Sequence, residues 1–327
     1  MPTVAYGDIS PRTAAFASKD LLTRGLPYLV IEKFGQAKTL PANNSKTVKF
    51  RRYTALNNTP VALIEGVTPA GQSLTYTDVT ATLTQFGDLI KITDIISDTH
   101  EDPILKEATD LLGEQAAQLV ENMRYGIIRA GTNVIFSNGA TRSGVVSPIS
   151  TVLQRRAVRA LKRQNARFIT KIVRSTVAFQ TENVAPGFVC LIHTDCEADV
   201  RNMTGFTPAE RYGSITPWEN EIGKVEDVRY VSSTIFTPFA NAGGAAGVML
   251  SSAGVSADVY PVLFLGADAY GIVALKGQFA ITPMVVNPRP SDSDPLAQRG
   301  SVGWKTLQTA VILNDAWMVR AEVAVTA

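Results

Sequence analysis

Histidine and cysteine are both scarce, two of each in 327 residues. Cys190 and Cys196 stand in no C-x-x-C spacing, which argues against a disulfide framework and fits a reducing compartment. His100 and His193 leave few candidates for a catalytic base or a metal centre. No apolar run reaches the ~18 residues that a membrane-spanning helix needs. The opening MPTVAYGDISPRTAAFASKD has neither a basic start nor an apolar core, so it is no secretory signal. An excess of charge of either sign is also missing. With 31 basic and 29 acidic residues the net charge is +2, giving no whole-molecule pull toward nucleic acid. Internal repeats, heptads, a P-loop and G-x-S-x-G or H-E-x-x-H motifs are absent. The first expectation is a soluble cytosolic protein without catalytic residues, cofactor or metal.

What is present centres on DPILKEATDLLGEQAAQLVENMRYGIIRAG, from Asp102 to Gly131. At 100° per residue, Leu105, Ala108, Leu112, Ala116, Leu119, Met123 and Ile127 share one face, and Glu107, Asp110, Glu114 and Glu121 the opposite one. Pro103 suits the first turn and Gly131 the stop. A helix of about 28 residues spans about 40 Å and must pack along much of its length. Before it, SKTVKFRRYTAL alternates, with Val48 and Phe50 on one side and Lys49 and Arg51 on the other. Turn residues around Asn57, Pro60, Gly66 and Gly71 separate it from a second extended run, SLTYTDVTATLTQFGDLIKIT. The outer half of this excursion has too few apolar residues for a core of its own, so it should lie on something else, including another subunit.

After the long helix, TVLQRRAVRALKRQNARFI predicts a second amphipathic helix, with Leu153, Ala157, Ala160, Leu161 and Phe168 inward. Its polar face carries Arg155, Arg159, Lys162 and Arg163. Three readings are open for that face: a solvated surface, an ion pair with the acidic helix within or between subunits, and phosphate binding. PGFVCLIHTDCEADVRNM reads as strand, turn and helix, with Thr194 and Glu197 as a capping box. GGAAG at 243–247 reads as a flexible loop. VGWKTLQTAVIL and AWMVRAEVAV flank Asn314-Asp315, which predicts a hairpin. Strands on both sides of helices point to the α+β class.

Few residues offer chemistry. His193, Asp195, Cys196 and Glu197 crowd four potential ligands into five positions, but a zinc site needs further ligands elsewhere. His100-Glu101-Asp102 suits the positive end of the long helix better than catalysis.

Four stretches in order carry a resemblance. They are LPANNSKTVKFRRYTAL, EGVTPAGQSLTYTDVTATLTQFGDLIKITD, WENEIGKVEDVRYVSST and DPLAQRGSVGWKTLQTAVILNDAWMVRAEVAV. Together they resemble the major capsid proteins of tailed bacteriophages, in the group named after the phage N-four capsid protein. The resemblance implies the Hong Kong 97 type fold, with an N-terminal arm (1–45) and an extended β-hairpin loop (46–96). A peripheral domain (97–183 and 281–327) would hold the spine helix 103–131, and an axial domain would cover 184–280. It also implies self-assembly into hexamers and pentamers of an icosahedral shell enclosing double-stranded DNA without sequence-specific binding. Portal and separate scaffolding or decoration proteins would be partners, in a virion assembled in the host cytoplasm. Arg51, Arg52 and Glu65 on the loop, Glu107, Asp110 and Glu114 on the spine helix, and Arg155, Arg159 and Arg163 on the basic helix are the expected inter-subunit contacts. Lys46, Lys49, Asn57 and Asn58 are available for an isopeptide cross-link, but nothing in their spacing requires one. The alternatives are an encapsulin-like nanocompartment shell around a cargo enzyme and a soluble α+β metal-dependent enzyme built on His193–Glu197.

Overall fold

The computed structural model describes residues 28–41, 45–60, 62–68, 71–93, 104–169, 187–211, 217–275, 281–286, 290, 294–296 and 298–327. The early strands are Gln36–Leu40 (β1), Thr47–Tyr53 (β2), Tyr76–Thr82 (β3) and Thr84–Thr93 (β4), followed by the long helix Ile104–Arg129 (α1). Next come Val134–Phe136 (β5), Thr151–Arg163 (α2), Phe188–His193 (β6), Glu197–Arg201 (α3), Phe206–Pro208 (β7), Glu221–Val225 (β8) and Val228–Ser233 (β9). The chain closes with Tyr260–Leu265 (β10), Tyr270–Leu275 (β11), Ile281–Val286 (β12), Arg299–Ile312 (β13) and Met318–Val323 (β14).

β13 is the spine of a five-stranded sheet. One edge pairs with β4 from Arg299↔Thr93 to Gln308↔Thr84; the other takes β12 and then β11, which pairs in turn with β1. Strand alternation points Val302 and Trp304 to one face, where they meet Ala108, Leu112 and Ala116 of α1. On the other face, Leu307, Val311 and Val273 are covered by Val48, Phe50, Ala81 and Leu83 at the base of the β2–β3 hairpin. The extended run therefore splits at Leu83. β3 stays with β2, and β4 crosses into the sheet.

The seven-stranded sheet has the order β5-β14-β10-β6-β9-β8-β7 and a core on each face. Along β6, Phe188, Cys190 and Ile192 face α2, whereas Val189 and Leu191 face the C-terminal half of α1. The apolar run of this strand is what burial on both faces demands. α2 begins where Ser150 accepts the Leu153 amide at 3.3 Å, a cap worth about 1 kcal/mol.

Several expectations need correction. The buried stripe of α1 follows Ala108, Leu112 and Ala116 as predicted, then turns to Val120, Arg124 and Ile128 instead of Leu119, Met123 and Ile127. The helix leaves the five-stranded sheet midway and meets residues 28–34 and the second sheet, so its covered face rotates. Glu121, expected in the acidic stripe, is consequently fully buried. The hairpin expected at Asn314-Asp315 is absent. β13 and β14 lie in different sheets, and this turn is the crossover between them. The capping box gives way to His193, whose Nδ1 accepts the Asp195 amide at 3.1 Å. GGAAG is a packed segment in which Gly243 and Gly244 bond to Ala257 and Val145 backbone atoms. A Cβ on Gly243 would lie 2.5 Å from the Val145 carbonyl oxygen. Gly131 does follow the helix end, where an added Cβ would lie 2.7 Å from Met318 Cε and 2.8 Å from Asp315 Oδ1. The Asp102-Pro103 start, His100 and residues 1–27 lie outside the described residues.

Candidate subunit interface

The β2–β3 hairpin stands away from both sheets beyond its base. Cross-strand partners Arg51 and Asp78 form a two-armed ion pair, Nε to Oδ1 at 2.8 Å and Nη2 to Oδ2 at 2.9 Å. The Arg51 guanidinium lies 4.0 Å from the Tyr76 ring centroid. Asp78 is held below the usual carboxylate range by that hydrogen bond, and Arg51 is raised by it. Arg51 is thus occupied in stiffening its own hairpin. Arg52 is exposed and has no ion pair among the described residues; it lines a cleft of about 560 Å³ with Lys38, Lys49 and Arg167. Beyond Tyr53 the chain turns at Ile64-Glu65-Gly66-Val67, closed by the Val67 amide on the Ile64 carbonyl at 3.1 Å. Gly66, at φ +78°, supplies the left-handed residue this turn requires. Glu65 is exposed at the tip.

The tip is more apolar at its surface than the sequence reading allowed. Leu63, Ile64 and Leu74 are each about 70% exposed, and Leu56 and Val67 more than half. Apart from Leu74, which keeps a two-residue period with Tyr76, their only sequence signal was apolar residues without a period among turn formers. A second open apolar surface lies on the five-stranded sheet. Register sets Leu89, Gly303 and Met284 in one row across β4, β13 and β12, with Val286 beside them. Leu89, Met284 and Val286 are exposed. This is the same sheet face that the hairpin base covers further along, so the face is half roofed by its own chain.

The charged helices never meet within the subunit, because α1 and α2 lie on opposite faces of the seven-stranded sheet. α2 pairs instead with the turn between β8 and β9: Arg155 with Glu226 and Lys162 with Asp227 at 2.7 Å. Glu226 holds a left-handed backbone, φ +51°, in that tight turn. Arg159 and Arg163 are exposed along a groove of about 480 Å³. On α1, Glu107 is exposed, and Asp110 and Glu114 are half-buried.

Of the His193–Glu197 ligands only His193 and Asp195 approach each other, Nδ1 to Oδ2 at 3.1 Å. Asp195 accepts the Tyr260 hydroxyl at 2.7 Å, Glu197 pairs with Arg201, and Cys196 is buried in the core. Burial pushes both thiols up, away from the reactive thiolate. Among the described residues no cluster of three potential ligands forms a metal site.

The sequence matches the model of a family described as phage capsid protein over residues 76–321. The chain belongs to the phage capsid protein family. Its fold is shared with the capsid of Ralstonia phage GP4, at TM-score 0.68 and 15% identity, with 90% of this chain and 87% of that one covered. The capsid of cyanophage Pam1 aligns at TM-score 0.65 and 14% identity, covering 94% and 93%. The acid-stable capsid of Helicobacter pylori bacteriophage KHP30 aligns at 0.57 and 10%, covering 88% and 86%. Among curated proteins none matches the sequence significantly. The capsid protein is a major capsid protein, a shell-forming structural subunit and a virion component, as the resemblance implied. The family match favours the viral shell over the nanocompartment and leaves the metal-enzyme alternative unsupported.

Proposed function

We propose that this capsid protein builds the hexamers and pentamers of an icosahedral shell around double-stranded DNA, with each hairpin tip roofing a neighbouring copy. The observation that carries the reading is the pair of open apolar surfaces, Leu63, Ile64 and Leu74 on the tip and Leu89, Met284 and Val286 on the sheet. Five exposed residues of this size on one loop are an unfavourable surface for a monomer, and burying each is worth about 1.5–3 kcal/mol. Repeated around a closed ring, such contacts add by multivalency. The role is mechanical, with no catalytic step. In this reading residues 1–45 are the arm and 46–96 the extended loop, whose last strand β4 returns to the five-stranded sheet; the peripheral domain (97–183 and 281–327) and the axial domain (184–280) exchange strands, β5 and β14 lying in the sheet of β6–β10 and β11 in that of β12 and β13. Arg52 and Glu65, with Arg51 behind them, face the Glu107–Asp110–Glu114 stripe or the Arg155–Arg159–Arg163 face of the next subunit. The near-neutral charge suits a wall that contains DNA without reading its sequence. A portal protein, and separate scaffolding or decoration proteins, complete the particle in the host cytoplasm.

The test is assembly of Leu63→Asp/Ile64→Asp, followed by sedimentation and negative-stain microscopy. The expected result is folded subunits or small oligomers with no closed shells. Shells formed in wild-type yield would overturn the tip's assigned role. Arg52→Glu in the same assay reads the charge contacts, with reduced shell yield expected and unchanged yield counting against them.

A further inference from the structure

Residues 28–34 are inserted between α1 and both sheets, with Leu29, Val30, Ile31 and Phe34 buried. The turn Ile31–Lys33 has no side-chain cap from Val30, its own N-cap residue. Its open amides are taken by a carboxyl 90 residues away. Glu121 Oε1 accepts from Val30 at 3.0 Å and from Ile31 at 2.8 Å. The Tyr270 hydroxyl on β11 donates to the Ile31 carbonyl at 2.6 Å. Arg124, one turn along α1, bonds Glu32 at 2.9 Å and the Gln308 side chain on β13 at 2.8 Å. Gln308 is fixed in turn by Thr306.

The charges in this cluster do not balance. Two buried carboxyls, Glu32 and Glu121, face one buried cation, Arg124, while Tyr270, Gln308 and Thr306 contribute no charge. Glu32 Oε1, Glu121 Oε2 and Arg124 Nε have no hydrogen-bond partner among the described protein atoms. A fully ionised cluster would leave one uncompensated negative charge out of water, which is costly at any plausible interior dielectric. One proton on Glu121 restores neutrality and leaves Oε1 free to accept both amides.

We propose that Glu121 is a proton-operated latch for the segment 28–34: protonated it fastens the segment to α1, and ionised it loosens it. The proposal goes beyond the shell-subunit reading and does not depend on it. Burial is the main cause that raises the Glu121 carboxyl, from 4.5 to about 7, with Glu32 adding to the rise and Arg124 and the two amides opposing it. The sign follows from linkage. Between those two values the folded chain holds a proton that the unfolded chain has lost, so the latch is fully closed below about 4.5 and weakens as pH rises through about 7.

Hydrogen exchange of the full-length chain, read by mass on a fragment spanning residues 28–34 and corrected for intrinsic exchange, tests this. Protection there should fall roughly a hundredfold between about pH 5 and about pH 8, whereas a fragment of β10 stays protected. Glu121→Gln keeps the accepting oxygen and cannot ionise, so its protection should be flat over that range. Glu32→Gln removes the competing carboxylate, so its loss of protection should shrink. A flat wild-type profile overturns the latch, as does a Glu121→Gln profile with the wild-type slope. If Glu121→Gln does not fold, an unchanged profile in Glu32→Gln overturns it.

Discussion

Arg142 and Arg155 each bond a glutamate through two nitrogens, but the surroundings differ. Glu322 is completely buried on β14, with Arg142 at 2.8 Å on both oxygens and Arg320 at 3.0 Å. Glu226 sits on an exposed turn, and its partner Arg155 is more open to water still. Removing Arg142 strands part of a buried negative charge, so Arg142→Ala should destabilise the folded subunit by about 3 kcal/mol. Arg155→Ala should leave the denaturation midpoint where it was, because water replaces the lost partner. Equal shifts for the two variants in denaturant titrations would contradict this. Both arginines stood in polar stretches of the sequence. Only the depth of Glu322 separates them, and Glu322 itself lies in a run, AWMVRAEVAV, whose alternation does not say which side is covered.

At the level of elements, the long helix and its first half were legible, because a period of 3.6 is local information. The second half was not. The stripe turns at Ala116–Val120 because residues 28–34, far upstream in the sequence, lie there, and nothing in residues 117–129 announces it. Val120→Gln should therefore cost about 3 kcal/mol and Met123→Gln about 1 kcal/mol or less, the reverse of what the sequence stripe ranks. Melting of the two variants side by side decides it. Strand identity was similarly accessible, and strand pairing beyond the β2–β3 hairpin was not. β10 and β11 adjoin in sequence and enter different sheets, as do β13 and β14. Alternation of apolar residues describes a face but does not name the neighbour along the hydrogen-bonding edge.

On the scale of the whole molecule, the proposed interface rests on surfaces that belong to no single stretch of the sequence. The excursion was expected to lie on another subunit because it lacked a core, and the open sheet face supplies a surface of matching character. Two of the charges nominated for that contact already have partners within the subunit. Arg51 is committed to Asp78 and Arg155 to Glu226. Asn57, one of the cross-link candidates, is engaged in its own turn, its Oδ1 accepting from Thr59 at 2.7 Å and its backbone bonded to Gln72. The shell should accordingly be held by non-covalent contacts. Boiled particles should give a single monomeric subunit mass, and a ladder of multimers would refute that expectation.

The sequence by itself determined the α+β class, the existence and type of the principal elements, and the family, because periodicity, turn chemistry and ordered motifs are written along the chain. The tertiary structure alone decided that Glu121 is interior, that α1 and α2 are kept apart by a sheet, and that half of one sheet face remains open. Each of these depends on which distant segments are brought together, and the free energy of a charged or apolar side chain is set by those neighbours more than by its own position in the sequence. The long helix shows both limits: its face is periodic where it lies on one sheet and turns where a second partner takes over.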